Sequence, residues 1–254
     1  MERKQQKLLV ETAALAGELM LRSGAETFRA EDTMAHILRK GTTAHVTPLA
    51  LTTSILVTLE DPEREPLTIV RRVPSGSTKL SRVVRINEIS RDFCDDKISL
   101  EEAYDQLTHL KDSEYSRTMY NIATIGVAVG FTLFYGGSLL DAFAAFIGST
   151  VLAMLITFGK KTKMAGFIMN CMCCAGMSFT CALLKDTILP TMDMDIVTIG
   201  GLMPVVPGAA ITNAVRDTLQ GDYISGSARM LEAFLKAASI ALGVGIGVML
   251  FRLI

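Results

Sequence analysis

Ile199 to Asp222 reads IGGLMPVVPGAAITNAVRDTLQGD, and how this stretch is read decides the fold. An apolar run suited to a bilayer is broken at Pro204, Pro207 and Gly208, then restarts toward Asn213, Arg216 and Asp217. A proline within a helix removes one backbone donor and collides with the carbonyl four residues back, so two prolines followed by glycine predict two half-helices. In hydrocarbon such a break leaves peptide groups without partners. It is tolerated where other protein or a water-lined cavity satisfies them, and transporters place substrate at such breaks. The plainer alternative is a Pro-kinked structural helix, so the rest of the chain bears on the choice.

Half of the 254 residues are hydrophobic, mean hydropathy is +0.37, and Trp is absent, a composition too apolar for an ordinary soluble domain. Of the 51 Lys, Arg, Asp and Glu, 36 fall in residues 1–117 and 15 in residues 118–254. A polar first part is therefore expected to join a membrane second part. The net charge of −1 argues against a nucleic-acid partner, which needs a clustered basic face. The opening MERKQQKLLVE is charged and lacks the apolar core of a secretory signal, so residues 1–117 are expected to stay in the cytosol. Of the five cysteines, Cys171, Cys173, Cys174 and Cys181 share one apolar segment and Cys94 lies in the polar part. An odd, clustered set without nearby His is neither a disulfide framework nor a zinc site, which leaves helix packing as its role.

In residues 1–117, Lys4 to Arg22 has the periodicity of an amphipathic helix, with Leu8, Leu15 and Leu19 on one side. Ser23 and Glu26 have capping-box spacing for a second helix running to about Lys40. Thr52 to Leu59 and Leu67 to Val73 are β-branched runs joined by DPEREP, as in an antiparallel pair. Lys79 to Cys94 and a segment from the Ser99–Glu102 capping box to about Lys111 complete the part as helices. Glu18, Glu26, Glu31 and Asp32 concentrate acid near the first helix junction, where paired carboxylates could do acid–base work. Glu18 with Arg22 and Glu26 with Arg29 have the spacing of helical ion pairs, which favours the structural explanation. His36, His45 and His109 show no metal spacing. Neither the Pro74–Ser77 stretch nor Gly159–Thr162 has the context of a nucleophile elbow or a P-loop. No catalytic residue, metal or cofactor is expected.

Residues 118–254 contain four runs without Asp, Glu, Lys or Arg: Thr118 to Leu140, Ala142 to Gly159, Met164 to Leu184 and Ile196 to Val215. Each is near the ~20 residues that cross ~30 Å of hydrocarbon. A fifth, Met230 to Phe251, carries Glu232 and Lys236 four apart near its start. The expected fold class is membrane α-helical, a small cytosolic α+β domain (1–117) followed by five transmembrane helices (118–254) with the fourth Pro/Gly-broken. Placing residues 1–117 inside puts Arg117, Lys160, Lys161, Lys163, Arg216 and Arg229 on the cytosolic side, which orients the chain N-in and C-out. Gly126 with Gly130, and Gly243 with Gly247, have the small-xxx-small spacing of closely packed membrane helices. Asp141, where the first span turns into the second, reads as a helix cap before a proton carrier.

The run Gly17-Glu18-Leu19-Met20-Leu21-Arg22-Ser23-Gly24-Ala25-Glu26-Thr27-Phe28-Arg29-Ala30-Glu31-Asp32-Thr33-Met34 resembles the opening motif of the threonine/serine exporter (ThrE-type) family. Gly136-Gly137-Ser138 with Asp141, and Pro207-Gly208 followed by Thr212-Asn213-Ala214-Val215-Arg216-Asp217 and Gly221-Asp222, are similar to its membrane motifs. The resemblance covers nearly the whole chain. It implies a cytosolic N-terminal domain before ten spans, of which the second five are a separate protein in some bacteria. With five spans, this chain then resembles the larger subunit of a split exporter of the bacterial inner membrane, with a second small membrane subunit as partner or a homo-oligomer in its place. It further implies proton-driven efflux of threonine and serine, or of dicarboxylates such as succinate in split pairs. The family has also been suspected of hydrolase-like character in its soluble domain, for which the sequence offers no recognisable triad.

On this reading Pro204, Pro207 and Gly208 open the site, and the bare amides after Gly208 meet a substrate carboxylate with Thr212 and Asn213 as neutral partners. Arg216 attracts the anion and Asp217 holds that arginine in place. The competing explanation makes Arg216 and Asp217 an interfacial anchor. The rival functions are a membrane-anchored hydrolase centred on Glu18 and Glu26, and a non-transporting scaffold or sensor.

Overall fold

The computed structural model describes residues 2–110 and 115–253. Among them the chain divides into two compact units, one of Met1–Asp112 with Ala209–Leu231, the other of Ser113–Gly208 with Glu232–Ile254. The first unit therefore includes a segment from late in the sequence that lies beyond the boundary at residue 117.

In the first unit, α1 (Arg3–Arg22) and α2 (Thr27–Gly41) precede a three-stranded antiparallel sheet of β1 (His45–Leu51), β2 (Ser54–Glu60) and β3 (Leu67–Arg72), in the order β1-β2-β3. The two β-branched runs become β2 and β3, with Leu59 opposite Leu67 and Val57 opposite Ile69. β1 is an addition to that expectation. Its Pro48 obscures the strand pattern, and proline is accommodated because β1 lies at an edge. Along β2 the inward residues Ile55, Val57 and Leu59 are fully buried, the period-two pattern of a strand with one covered face. They share a core with Leu9 and Met20 of α1 and Met34 of α2. Then follow α3 (Leu80–Cys94) and α4 (Leu100–Thr108). The Ser99–Glu102 capping box forms as expected, with Ser99 Oγ accepting from the Glu102 amide at 3.2 Å and Glu102 Oε2 from the Ser99 amide at 2.7 Å. The expected helix end at Lys111 lies outside the described residues.

The second unit holds α5 (Arg117–Phe134), α6 (Leu139–Lys161), α7 (Gly166–Thr187), α8 (Met194–Leu202), a 3-10 turn (Met203–Val205) and the later part of α10 (Tyr223–Arg252). Between that turn and α10 runs α9 (Gly208–Leu219). The break is where the prolines place it: Pro204 lies in the 3-10 turn, Pro207 directly precedes α9, and the helices either side are bent by 61°. Among the described residues, α6, α7 and α10 are long and apolar enough to cross a membrane, and the bent pair makes a fourth if counted as one span. α5 is 18 residues long and opens on Arg117, with Asn121 in its second turn, which lowers its apolar character below that of the other three. Cys173, Cys174, Met177 and Cys181 are fully buried in the core of this unit, and all five cysteines are free, in keeping with a packing role.

Candidate functional site

The α1–α2 turn carries a cluster of polar contacts in the first unit. α1 ends with Gly24 at φ +81°, and the amides of Gly24 and Ala25 close back on the carbonyls of Leu21 and Met20 at 3.0 and 3.1 Å. Two such bonds closed over a left-handed glycine finish a helix C-terminus. The expected Ser23–Glu26 capping box does not form. Ser23 Oγ donates to the Leu19 carbonyl at 2.7 Å, and Glu26 makes no capping hydrogen bond at the start of α2. Ser23 is used in finishing α1, so it is not available to begin α2.

α2 is capped from α9 instead. Asp217 Oδ1 accepts from the Thr27 amide at 3.3 Å and from the Thr27 hydroxyl at 2.9 Å. A carboxylate at this place satisfies a helix N-terminal donor and stands at the positive end of the helix dipole. Behind it, Arg229 Nε lies 3.1 Å from Asp217 Oδ2, as an ion pair off the line of an aligned hydrogen bond, and Arg229 Nη2 donates to the Ala25 carbonyl at 2.7 Å. The two side chains are 9% and 0% exposed, so this charge pair is internal. Asn213 Nδ2 donates to the Gly24 carbonyl at 3.0 Å, and an Arg216 Nη1 pairs with Glu26 Oε1. Gly24, Ala25, Glu26 and Thr27 thus each receive a contact from α9 or the start of α10.

The two motifs quoted in the sequence, one near residue 25 and one near residue 215, therefore meet in one cluster. The expectation that Asp217 holds Arg216 is corrected by these contacts: Asp217 takes Thr27 and Arg229, and Arg216 takes Glu26. Glu18 pairs with Arg71 at 3.0 Å rather than with Arg22. Glu31 Oε1 accepts from the Ala50 amide at 2.8 Å, tying α2 to β1. Burial pushes its carboxyl above the ordinary 4.5, the Ala50 amide partly offsets this, and Asp222 and Asp217 add to the rise. Asp222 in turn caps α10 by accepting from the Ser225 amide at 3.1 Å, and Ser225 Oγ accepts from the Thr52 amide at 3.3 Å. On the outer side, Glu26, Phe28, Arg29, Asp32, Arg216 and Leu219 line a surface concavity of about 580 Å³.

The remaining expected site residues are placed elsewhere. Thr212 is exposed on α9, and Pro204, Pro207 and Gly208 belong to the second unit. A Cβ added at Gly208 would meet open space. Asp141, also in the second unit, is 5% exposed and joins Ser138 in a capping box at the start of α6. Its Oδ2 accepts from the Ser138 amide and hydroxyl at 2.8 and 2.7 Å, and its Oδ1 from the Asp193 amide at 2.8 Å. Asp193 itself caps α8. This is the geometry of a helix cap. Sequence reasoning missed Arg229 and Thr27 as members of the cluster. Arg229 carried a usable signal, because an arginine at the head of an apolar helix needs a partner when buried.

Long apolar helices beside a charged α+β unit define the class: this is a membrane protein. Comparison with known families makes the assignment specific, since the family model ThrE, "Putative threonine/serine exporter", matches residues 11–251. The chain belongs to that family, whose description is that of an exporter. It is similar to a protein of Mycobacterium tuberculosis (strain ATCC 25618 / H37Rv) named "Probable threonine/serine exporter", with 23% identity over 241 residues. That match covers 94% of this chain and 45% of the relative, so the chain spans about half the length of the relative it matches. No solved structure matches the chain.

Proposed function

We propose that the chain is one subunit of a secondary export transporter for small carboxylate-bearing metabolites, threonine and serine or dicarboxylates such as succinate. The observation that carries this reading is the broken segment: α8, a 3-10 turn and α9 stand where the sequence of an exporter-family member places Pro204, Pro207 and Gly208. The start of α9 offers backbone amides and a positive helix end to a carboxylate, with Thr212 one turn further on. Arg216 and Asn213 lie on the same helix, on the side of the charged cluster.

In this proposal the chain sits in the bacterial inner membrane with five spans, counting α5 and the bent pair, the first unit's N-terminal part in the cytosol and the C-terminus outside. The proposal includes a second small membrane subunit as partner, or a homo-oligomer in its place. A hydrolase centred on Glu18 and Glu26 gains no support, because both carboxylates are engaged by arginines. The test is co-expression with a neighbouring five-span protein, followed by counterflow of labelled amino acids and dicarboxylates in vesicles. Saturable flux that needs both chains is the expected result. Flux that is absent with both chains present at normal membrane levels overturns the transporter reading.

A further inference from the structure

We propose that the outward face of the β1–β2–β3 sheet is a docking surface for a second copy of this chain, the two sheets stacked face to face with their strands antiparallel. The inference adds to the exporter reading a surface on which two copies meet, and it does not depend on what is exported. Strand register builds the face in rows. Thr47, Thr58 and Thr68 lie side by side across the three strands, and so do Leu49, Leu56 and Val70. The alternate residues Ile55, Val57 and Leu59 are fully buried in the core, so these two rows look away from it. Leu49 and Val70, on either side of Leu56, are 44% and 65% exposed. A contiguous apolar row on an open sheet face marks an interaction surface. Beside it, Thr58 and Thr68 join their hydroxyls at 3.0 Å, which satisfies both polar groups and leaves their methyls available to pack.

The charges at the two ends of the face point to a second copy as the occupant. Neither row contains a charged residue. Beyond the threonine row His45 lies opposite Glu60, and beyond the leucine row Ser54 lies opposite Arg72. Neither Glu60 nor Arg72 has an ion-pair partner among the described residues. Stacking with parallel strands would set Glu60 over Glu60 of the second copy, and like charges at short range disfavour it. A two-fold axis running across the strands between the two rows reverses their order. Each Glu60 then comes over the Arg72 end of the other copy, and each leucine row comes over threonine methyls. Both ends are matched at once, the self-complementarity that an isologous contact requires. β1 and β2 are seven residues long, so strand geometry gives a face of roughly 300 Å² per copy, against ~800 Å² per partner in a standard interface. Such a contact is weak between chains in solution. It is strengthened where both copies share one membrane, which raises their effective concentration.

The experiment is cross-linking in membrane vesicles of the full chain, with its five cysteines replaced and Thr58→Cys added, by a bismaleimide that spans the ~10 Å between stacked sheets. A cross-linked dimer is expected at Thr58→Cys and not at Glu101→Cys, an exposed position on α4. Glu60→Arg alone and Arg72→Glu alone should each reduce the Thr58→Cys dimer by about fivefold. The two together should restore it, since the exchanged charges again meet their opposites. Each variant is checked by its membrane level and its unfolding midpoint in detergent. Absence of the dimer overturns the proposal, whether the thiol labels readily, which leaves the face bare, or resists labelling, which gives the face to another partner. Equal cross-linking at Glu101→Cys, single reversals without effect, or a double exchange that does not restore the dimer overturns it as well. Transport is read separately: a dimer without flux would remove the exporter reading alone, and flux without the dimer would remove this contact alone.

Discussion

Asp217 on α9 accepts from both the amide and the hydroxyl of Thr27, the first residue of α2, at 3.3 and 2.9 Å across 190 residues of sequence. The same carboxylate is the counter-ion of Arg229 at 3.1 Å. One side chain therefore starts a helix of the N-terminal region, neutralises a buried arginine, and ties α9 to the unit formed by residues far upstream.

Removing that carboxylate should be costly. Asp217→Ala leaves Arg229 as a buried charge without a counter-ion and Thr27 without its cap, and breaking one side of a buried pair costs about 3–5 kcal/mol. Hydrogen exchange at the first turn of α2 should accelerate accordingly, and a second substitution, Arg229→Met, should recover most of the loss. Unchanged protection in Asp217→Ala would mean that the α1–α2 turn is held by Asn213, Arg216 and the Arg229–Ala25 bond without the carboxylate.

Glu31 sets a pH dependence of defined sign. Its carboxyl is held above 4.5 chiefly by burial, with Asp222 and Asp217 adding to the effect, so the folded chain binds this proton more tightly than the unfolded one. The contribution to stability is complete below the ordinary value and is lost as pH rises through the raised one. Glu31→Gln keeps an oxygen for the Ala50 amide and removes the charge. Its unfolding midpoint should exceed that of the unaltered chain at pH 7 and converge with it at pH 4. A midpoint lowered at both values would assign Glu31 a stabilising charge instead.

Much of this was legible in the sequence, and the failures have local physical causes. The Ser99 box, the strands β2 and β3 and the broken segment follow from short-range chemistry: a hydroxyl three residues before a carboxylate, β-branched alternation, and prolines in an apolar run. Ser23 and Glu26 carry the same spacing as Ser99 and Glu102, yet Gly24 lies between them in a left-handed turn that directs Ser23 back to α1. The pairing of Asp217 with Thr27 and Arg229 depends on packing across the chain. From the sequence alone Asp217 could be paired only with its immediate neighbour Arg216.

The two small-residue pairs should respond oppositely to alanine. A Cβ at Gly243 would meet the Cys171 carbonyl and, at 2.8 Å, Cys174 Cβ, while one at Gly247 would meet Ser178 Oγ and the Ala175 carbonyl. Both are contacts with α7, so Gly243→Ala and Gly247→Ala should lower the unfolding midpoint in detergent by an amount equivalent to about 1–3 kcal/mol. At Gly126 and Gly130 an added Cβ meets nothing within 4 Å. Alanine there should stabilise α5 by up to ~1 kcal/mol through helix propensity. Equal losses at all four positions would show that Gly126 and Gly130 are covered in the assembled protein.

The proposed topology is tested from its ends. With the native cysteines replaced, a single cysteine at position 2 should resist an impermeant thiol reagent applied to intact cells, and one at position 254 should react. Equal protection of both ends would remove the five-span arrangement and make the bent pair re-entrant, because an even number of crossings returns the chain to its starting side.

The last test separates substrate site from scaffold at the break. Gly208 opens α9 with open space around the position of a Cβ, so Gly208→Leu should insert normally and assemble with its partner. If the amides after Gly208 receive the substrate carboxylate, the leucine fills that approach and flux falls below detection. Arg216→Lys keeps the charge opposite Glu26 and loses the planar fork, so a carboxylate held by two parallel bonds should bind more weakly, raising KM by about tenfold, whereas a surface anchor would not register the change. Loss of flux in the first variant with a raised KM in the second places the substrate path along α9 from Gly208 to Arg216. Normal transport in both, at matched membrane levels, would leave Pro204 to Asp217 as a kinked structural segment and direct the search for the path to α5 and α7.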